Sequence, residues 1–361
     1  MHVHRAHHVV RAANAGVVVN RVSAWLADRT PVQILAVGWL VFAAYAYPGL
    51  MSHDSFDQLD QARALLYSDE QPPAMAALWN VVDFVIAGPF GMLVLQSVTF
   101  VAGTYLVLGR VLRPRRAAVA AVGVLLFPPI FALMAVVWKD CLMSGLLALG
   151  LGLVLGDSRR QRIAGVAMVF AANLVCYHAV AATLPILVLL WWREPAAVGW
   201  SAHLRMSGRG LAVWLAVTAA ASGANAALTQ RPAAHWSGLS ASRLVTHATQ
   251  PSDLLAHAHV GLGYSWFQDH VGAILEWTSH TLLFRPLAYA AVTLLLLGAA
   301  RRQRDVLALL LSGLAFEGSR HVIGPSADDG YSLWLVIATV IGIVMFTTRR
   351  GRVRSNHDSE P

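Results

Sequence analysis

The side chains best placed for chemistry lie in Tyr47-Pro48-Gly49-Leu50-Met51-Ser52-His53-Asp54-Ser55-Phe56-Asp57-Gln58-Leu59-Asp60-Gln61. Pro48 and Gly49 end the apolar stretch before it. The spacing predicts a helix from near Asp54, which puts positions 54, 57, 58 and 61 on one face. That face reads Asp, Asp, Gln, Gln: two carboxylates able to take up a proton, beside two amides. A purely structural reading is also open, with Asp54 as helix cap and Asp57 favoured by the dipole of the first turn. It does not account for six acids against the single Arg63 over residues 51–83.

Further candidates are scattered along the chain. Asp69-Glu70-Gln71-Pro72-Pro73 is an extended, proline-stiffened entry to the next segment. Trp138-Lys139-Asp140 is a tight turn holding the chain's only lysine. Lys139 suits either a snorkelling anchor or a phosphate ligand, with Asp140 orienting the phosphate or a metal. His178 stands alone at a junction of apolar segments. Glu317, Arg320 and His321 form a charged group whose burial is costly unless it is paired or used. An internal Glu317–Arg320 pair and phosphate recognition by Arg320 are both open. His257-x-His259 with Asp253 lacks a compact zinc spacing, so no metal ligands are assigned. Cys141 and Cys176 read as buried free thiols, with a disulfide as the alternative.

These residues need a scaffold, and composition names its kind. Of 361 residues, 57% are hydrophobic and only 13% charged, with a mean hydropathy of +0.56. That excludes a disordered chain and a disulfide scaffold, and leaves too little charge for an ordinary soluble surface. The expected fold is all-α, a polytopic transmembrane bundle of about ten spans: 31–50, 84–109, 117–137, 141–156, 163–176, 178–192, 210–228, 281–300, 306–318 and 332–347. The pair 163–176 and 178–192 reads as two partial helices meeting at Cys176-Tyr177-His178. With both termini cytoplasmic, 21 of the 27 basic residues fall inside, as the positive-inside rule requires. The net charge of +8 is then a topology signal rather than a nucleic-acid footprint, and no nucleic-acid partner is expected. Thirteen of the 19 acids fall outside, which marks the outer face as the functional one.

The domain reading follows. Residues 1–30 form a cytoplasmic amphipathic segment, too long in its charged part for a signal peptide. Residues 31–348 form one transmembrane domain with outer loops 51–83 and 229–280. Residues 349–361 form a disordered cytoplasmic tail.

The order of these features resembles the GT-C superfamily of integral-membrane glycosyltransferases, which use polyprenyl-phosphate-linked sugars. The resemblance rests on the first span ending in Tyr47-Pro48-Gly49, the acidic first outer loop with Asp54 and Asp57, the Asp-x-Gln-Pro-Pro stretch at 69–73, and Trp138-Lys139-Asp140. It covers residues 31–200. It departs at Gln71, where many relatives carry a His before the proline, so Gln71 is given no ligand role. The resemblance implies a catalytic acid in the first outer loop, best matched by Asp54 and second by Asp57. A lipid phosphate is already a good leaving group, so the reaction needs a base on the acceptor hydroxyl and cations on the phosphate. Asp54 is then the base of an inverting displacement. Lys139, Arg320 and Arg285 hold phosphate. Asp57, Asp140, His178 and His321 complete the substrate contacts, and Trp236, Trp266 and Trp277 offer faces for sugar stacking. The implied partners are the polyprenyl-phosphate sugar, the bilayer, and an acceptor that is a glycan, lipid, protein or natural product. A divalent cation, Mg2+ or Mn2+, is left open. The expected location is a bacterial plasma membrane with the site outside.

Other classes remain on the table. A transporter would place ionisable groups inside its spans, where this chain has almost none. A non-catalytic cell-envelope assembly partner, or an acyltransferase or glycan ligase, would share the outward-facing site.

Overall fold

Proline and small polar residues set the helix starts. Pro31, Pro73, Pro114, Pro128 and Pro286 each occupy the first helical position, where the missing N–H is no loss. Thr30, Ser52, Ser158 and Ser265 cap four helices through reciprocal bonds with the residue three positions on. The computed structural model describes residues 28–192, 200–231, 265–322 and 332–357. Among them are 14 α-helices: α1 (Pro31–Ala46), α2 (His53–Ala64), α3 (Pro73–Val85), α4 (Phe90–Leu108), α5 (Pro114–Leu125), α6 (Pro128–Met134), α7 (Lys139–Val154), α8 (Arg159–Val175), α9 (Ala179–Trp192), α10 (Trp200–Leu228), α11 (Trp266–Ser279), α12 (Pro286–Ala299), α13 (Arg304–Val322) and α14 (Leu333–His357).

Length and apolarity alone pick out fewer membrane spans than the sequence reading. Three helices qualify, over Phe90–Leu108, Arg205–Leu228 and Leu333–Gly351, or four if the bent pair α5–α6 is one span. The other apolar helices are short, α1 and α12 among them. The 117–137 segment is not one straight helix: it breaks at Phe127-Pro128 with a 72° bend. The 84–109 segment starts late, at Phe90, because Gly88 and Pro89 interrupt it. Residues 51–83, expected as an outer loop, are mostly helical, folded as the hairpin α2–α3. Helix α10 starts ten residues earlier than the sequence suggested, and α14 runs helically into the tail as far as His357. Residues 163–176 and 178–192 correspond to two helices, α8 and α9, which do meet at Cys176-Tyr177-His178. The N-terminal segment 1–27 and most of loop 229–280 lie outside the described residues.

The centre of the bundle is the α4–α7 pair, where glycines let two backbones touch. A Cβ at Gly103 would stand 2.2 Å from Leu149 N, and one at Gly145 would meet Gln96 O at 3.0 Å. Such small-residue contacts are how apolar helices gain dispersion energy at close range. The fully buried Gln96 on α4 donates through Nε2 to Met134 O (2.9 Å) and Val136 O (2.7 Å). These bonds satisfy carbonyls freed where α6 ends, and hold the strand-like segment that leads into α7.

Contacts sort by end of the bundle. At one end, Arg349 grips Asp305 with both guanidinium nitrogens, and Arg110 reaches Gly152 O (3.3 Å) and Asp157 (3.7 Å). At the other, Gln268 of α11 donates to Tyr45 O and Tyr47 O (both 2.8 Å), and Ser319 of α13 to His178 O (3.3 Å). At that end, too, the backbone of Gln230–Arg231 pairs with Tyr67 and Asp69. The hairpin α2–α3 belongs to this second end, as does the candidate site.

Candidate functional site at the paired starts of α2 and α7

Two helices separated by most of a hundred residues begin side by side. Gly49, at φ 117°, turns the chain out of α1 in a conformation that a side chain would strain. Leu50 then pairs in parallel with the segment before α7: Leu50 N donates to Ala135 O (3.0 Å), and Val137 N to Leu50 O (2.9 Å). Each helix starts three residues after the bridged pair Leu50 and Val136. Ser52 caps α2, Ser55 donates to Val137 O (2.7 Å), and the Trp138 indole donates to Ser52 Oγ. The cap is therefore Ser52 and not Asp54; Asp54 sits in the first turn, the place where the helix dipole favours an acid.

This knitting brings Asp54 to Lys139, the first residue of α7, with Nζ 3.8 Å from Oδ2. Gln71 links them. Its Nε2 donates to Asp54 Oδ2 (3.1 Å), while its Oε1 accepts from Lys139 Nζ and from Gln58 Nε2 (3.3 Å). The ammonium fixes which way the amide points, because Lys139 can only donate. Gln71 must then present its NH2 to Asp54. The Gln58 side chain is buried, and its Oε1 has no hydrogen-bond partner. The Asp54 and Lys139 side chains stay partly open, at 31% and 17% exposure. Two helix N-termini and an ammonium thus converge beside one carboxylate. Such an arrangement attracts an anion while keeping a proton acceptor within reach.

A second ring of contacts leads away from Asp54. Asp140 accepts from the Cys176 thiol (3.4 Å), and Tyr177 donates to Asp69 O (3.4 Å). Burial, aided by Asp69, pushes the Tyr177 phenol up to about 12, so it remains a neutral donor at physiological pH. The His178 ring lies edge-on to Phe316 (6.4 Å between centroids), next to the end of α13. Glu317 Oε2 is buried there with no hydrogen-bond partner. Asn225 ties α10 into the same end, accepting from Ala74 N (3.0 Å) and donating to Leu174 O (3.0 Å).

The residues singled out from the sequence fare differently. Asp54 and Lys139 come together. Asp57 does not join them: it turns outward, 55% exposed, and pairs with His53 at 3.2 Å. Gln61 leaves the shared face as well, accepting from Ser68 N (2.9 Å). Asp140 faces Cys176. Arg285 opens α12, which packs mainly on α13 and α14. Arg320 and His321 end α13, and their side chains lie outside the described residues, as do Trp236, Asp253, His257 and His259. Trp266 and Trp277 are exposed on α11. Cys141 and Cys176 are both free and buried. Gln71, passed over in the sequence, is the hub; its one signal was its place directly before Pro72-Pro73, the rigid start of α3.

Among the described residues, no three His, Cys, Asp or Glu side chains gather as a metal centre. Asp54 is met by the Gln71 NH2 and the Lys139 ammonium, and neither group can ligate a cation. Compared with known protein families and with curated proteins, the sequence matches none.

Proposed function

We propose that this chain is an integral-membrane glycosyltransferase of GT-C type. It moves a sugar from a polyprenyl-phosphate donor to an acceptor hydroxyl on the extracytoplasmic face. The observation that carries this reading is the meeting of the acidic first-loop Asp54 with the chain's only lysine at two adjoining helix starts. Asp54 takes the acceptor proton as the acceptor oxygen attacks the anomeric carbon. The bond from that carbon to the phosphate oxygen breaks, and the lipid phosphate leaves with the electron pair, so the configuration inverts. Lys139 and the starts of α2 and α7 face the charge that builds on the phosphate. Gln71 and Gln58 keep the base and the cation in register.

The membrane topology in this proposal has ten crossings and both termini inside. It takes α1, α4, α5–α6, α7, α8, α9, α10, α12, α13 and α14 as the crossings, the short ones meeting aqueous clefts or a locally thinned bilayer. The sorting of contacts supports it. The Arg349–Asp305 and Arg110–Asp157 pairs fall at the end assigned to the cytoplasm, and the Asp54 site falls at the other. The basic cytoplasmic turns orient the chain in a bacterial plasma membrane.

The test is transfer of radiolabel by the purified protein in proteoliposomes, with mannosyl, glucosyl and arabinosyl polyprenyl phosphates offered in turn together with cell-envelope acceptors. Label passing from one donor to an acceptor is the expected result. No transfer from any of them, by protein that is folded and inserted, would shift the weight to a transporter or an assembly partner.

A further inference from the structure

Helix α11 has three faces. Gln268, Gly272, Leu275 and Ser279 point inward and hold it to the end of α1 and to α6. Asp269 and Glu276 line a second strip, along a cleft of about 170 Å3 shared with Tyr45 and Leu50. The third strip is Trp266, His270, Ile274 and Trp277, one helical stripe flanked by Phe267. It is the unusual one. Trp266 is 73% exposed, Ile274 62% and Trp277 74%, and the Trp266 indole lies against the His270 ring, tilted by 42° (4.2 Å between centroids).

We infer that this strip lies in the outer leaflet, making α11 an interfacial helix that docks on lipid beside the site. The occupant follows from chemistry and place. Tryptophan at both ends of an apolar stripe is the composition of a headgroup-level belt, because the indole is apolar with one polar edge. The two acids sit on a different strip, away from the aromatic one. The apolar surface also continues past the helix: Leu282, 77% exposed, follows it, and Leu295 on α12 is 75% exposed. Gln268 fixes α11 to the Tyr45 and Tyr47 carbonyls, a few residues ahead of Asp54. An anchor at this point would hold the site at the depth where a lipid phosphate sits. The inference rests on the membrane reading of the chain, and its test separates the two.

Both native cysteines are fully buried, so cysteines introduced one at a time at Ile274, Asp269 and Leu295 accept an environment-sensitive fluorophore selectively. Each labelled protein is placed in bilayer discs containing lipids spin-labelled either shallow or deep in the acyl chain. A helix seated about 5–10 Å into the headgroup boundary predicts that the Ile274 label is quenched about twofold more by the shallow lipid than by the deep one. The Asp269 label is expected to be quenched by aqueous iodide and not by either lipid. The Leu295 label, on a crossing helix, should respond to lipid at either depth. Lipid quenching at Leu295 but not at Ile274 overturns the inference alone, whether water, a second copy or another part of the chain covers the strip. No lipid quenching at either position overturns the membrane reading itself.

Discussion

Removing Gln71 tests whether the site is a connected network. The substitution Gln71→Ala deletes three side-chain hydrogen bonds at once: to Asp54, to Lys139 and to Gln58. Bonds to charged groups contribute about 1.5–3 kcal/mol each where solvent is excluded. Here the Asp54 and Lys139 side chains are 31% and 17% exposed, so water replaces much of what is lost. The Gln58 amide is different. It is 2% exposed and its Oε1 already lacks a partner, so it would be stranded at a cost of about 1–3 kcal/mol. The sum predicts a loss of about 2–4 kcal/mol for Gln71→Ala. Lys139→Met keeps the stem and removes the charge, and a double-mutant cycle with Gln71→Ala isolates the contact. The structure predicts a coupling of about 1–2 kcal/mol, read from denaturant unfolding in detergent micelles. Additivity within about 0.5 kcal/mol would refute the network, because the two side chains would then act independently.

Other outcomes follow from single features. Gly103→Ala drives a methyl into the Leu149 backbone across the α4–α7 contact, and should destabilise the bundle by about 2–4 kcal/mol in the same unfolding assay. Asp83 bonds Arg63 at 3.0 and 3.1 Å and Gly88 N at 2.6 Å, and the Arg63 guanidinium holds its carboxyl below the ordinary value. A lowered carboxyl stabilises the fold fully above the unfolded pKa of about 4, and loses that contribution as pH falls through the lowered value. Because Arg63 is half exposed, Asp83→Asn should cost only about 1 kcal/mol at pH 7, with the difference from wild type vanishing on acidification. Asp57→Asn, which disturbs only an exposed pair with His53, should leave sugar transfer within about twofold of wild type.

Much of this architecture is legible in the residues, and the failures have physical causes. Apolar composition and charge placement indicate an all-helical bundle, and the junction at Cys176-Tyr177-His178 lies where two helices do meet. Pro72-Pro73 reads as a stiff entry to the next segment, and Pro73 does start a helix; Pro128 misled, because it fell inside an expected straight span and instead breaks it by starting a second helix. Shared-face reasoning placed Asp54, Asp57, Gln58 and Gln61 together, but a helical face is broad. Packing against Gln71 selects Asp54 and Gln58, Ser68 draws Gln61 aside, and solvent takes Asp57. The pairing of Asp54 with Lys139 depends on a parallel bridge between Leu50 and Val136, a long-range contact that no local pattern announces. Gln71 has no spacing signal of its own, since its role comes from standing between two distant partners.

The most direct test of the account compares Asp54→Asn with wild type for transfer from the radiolabelled polyprenyl-phosphate sugar, at equal insertion. Asparagine keeps the shape and the bond from Gln71 but cannot take up the acceptor proton. The account predicts that the rate falls by on the order of a hundredfold or more. Full transfer by Asp54→Asn would contradict it.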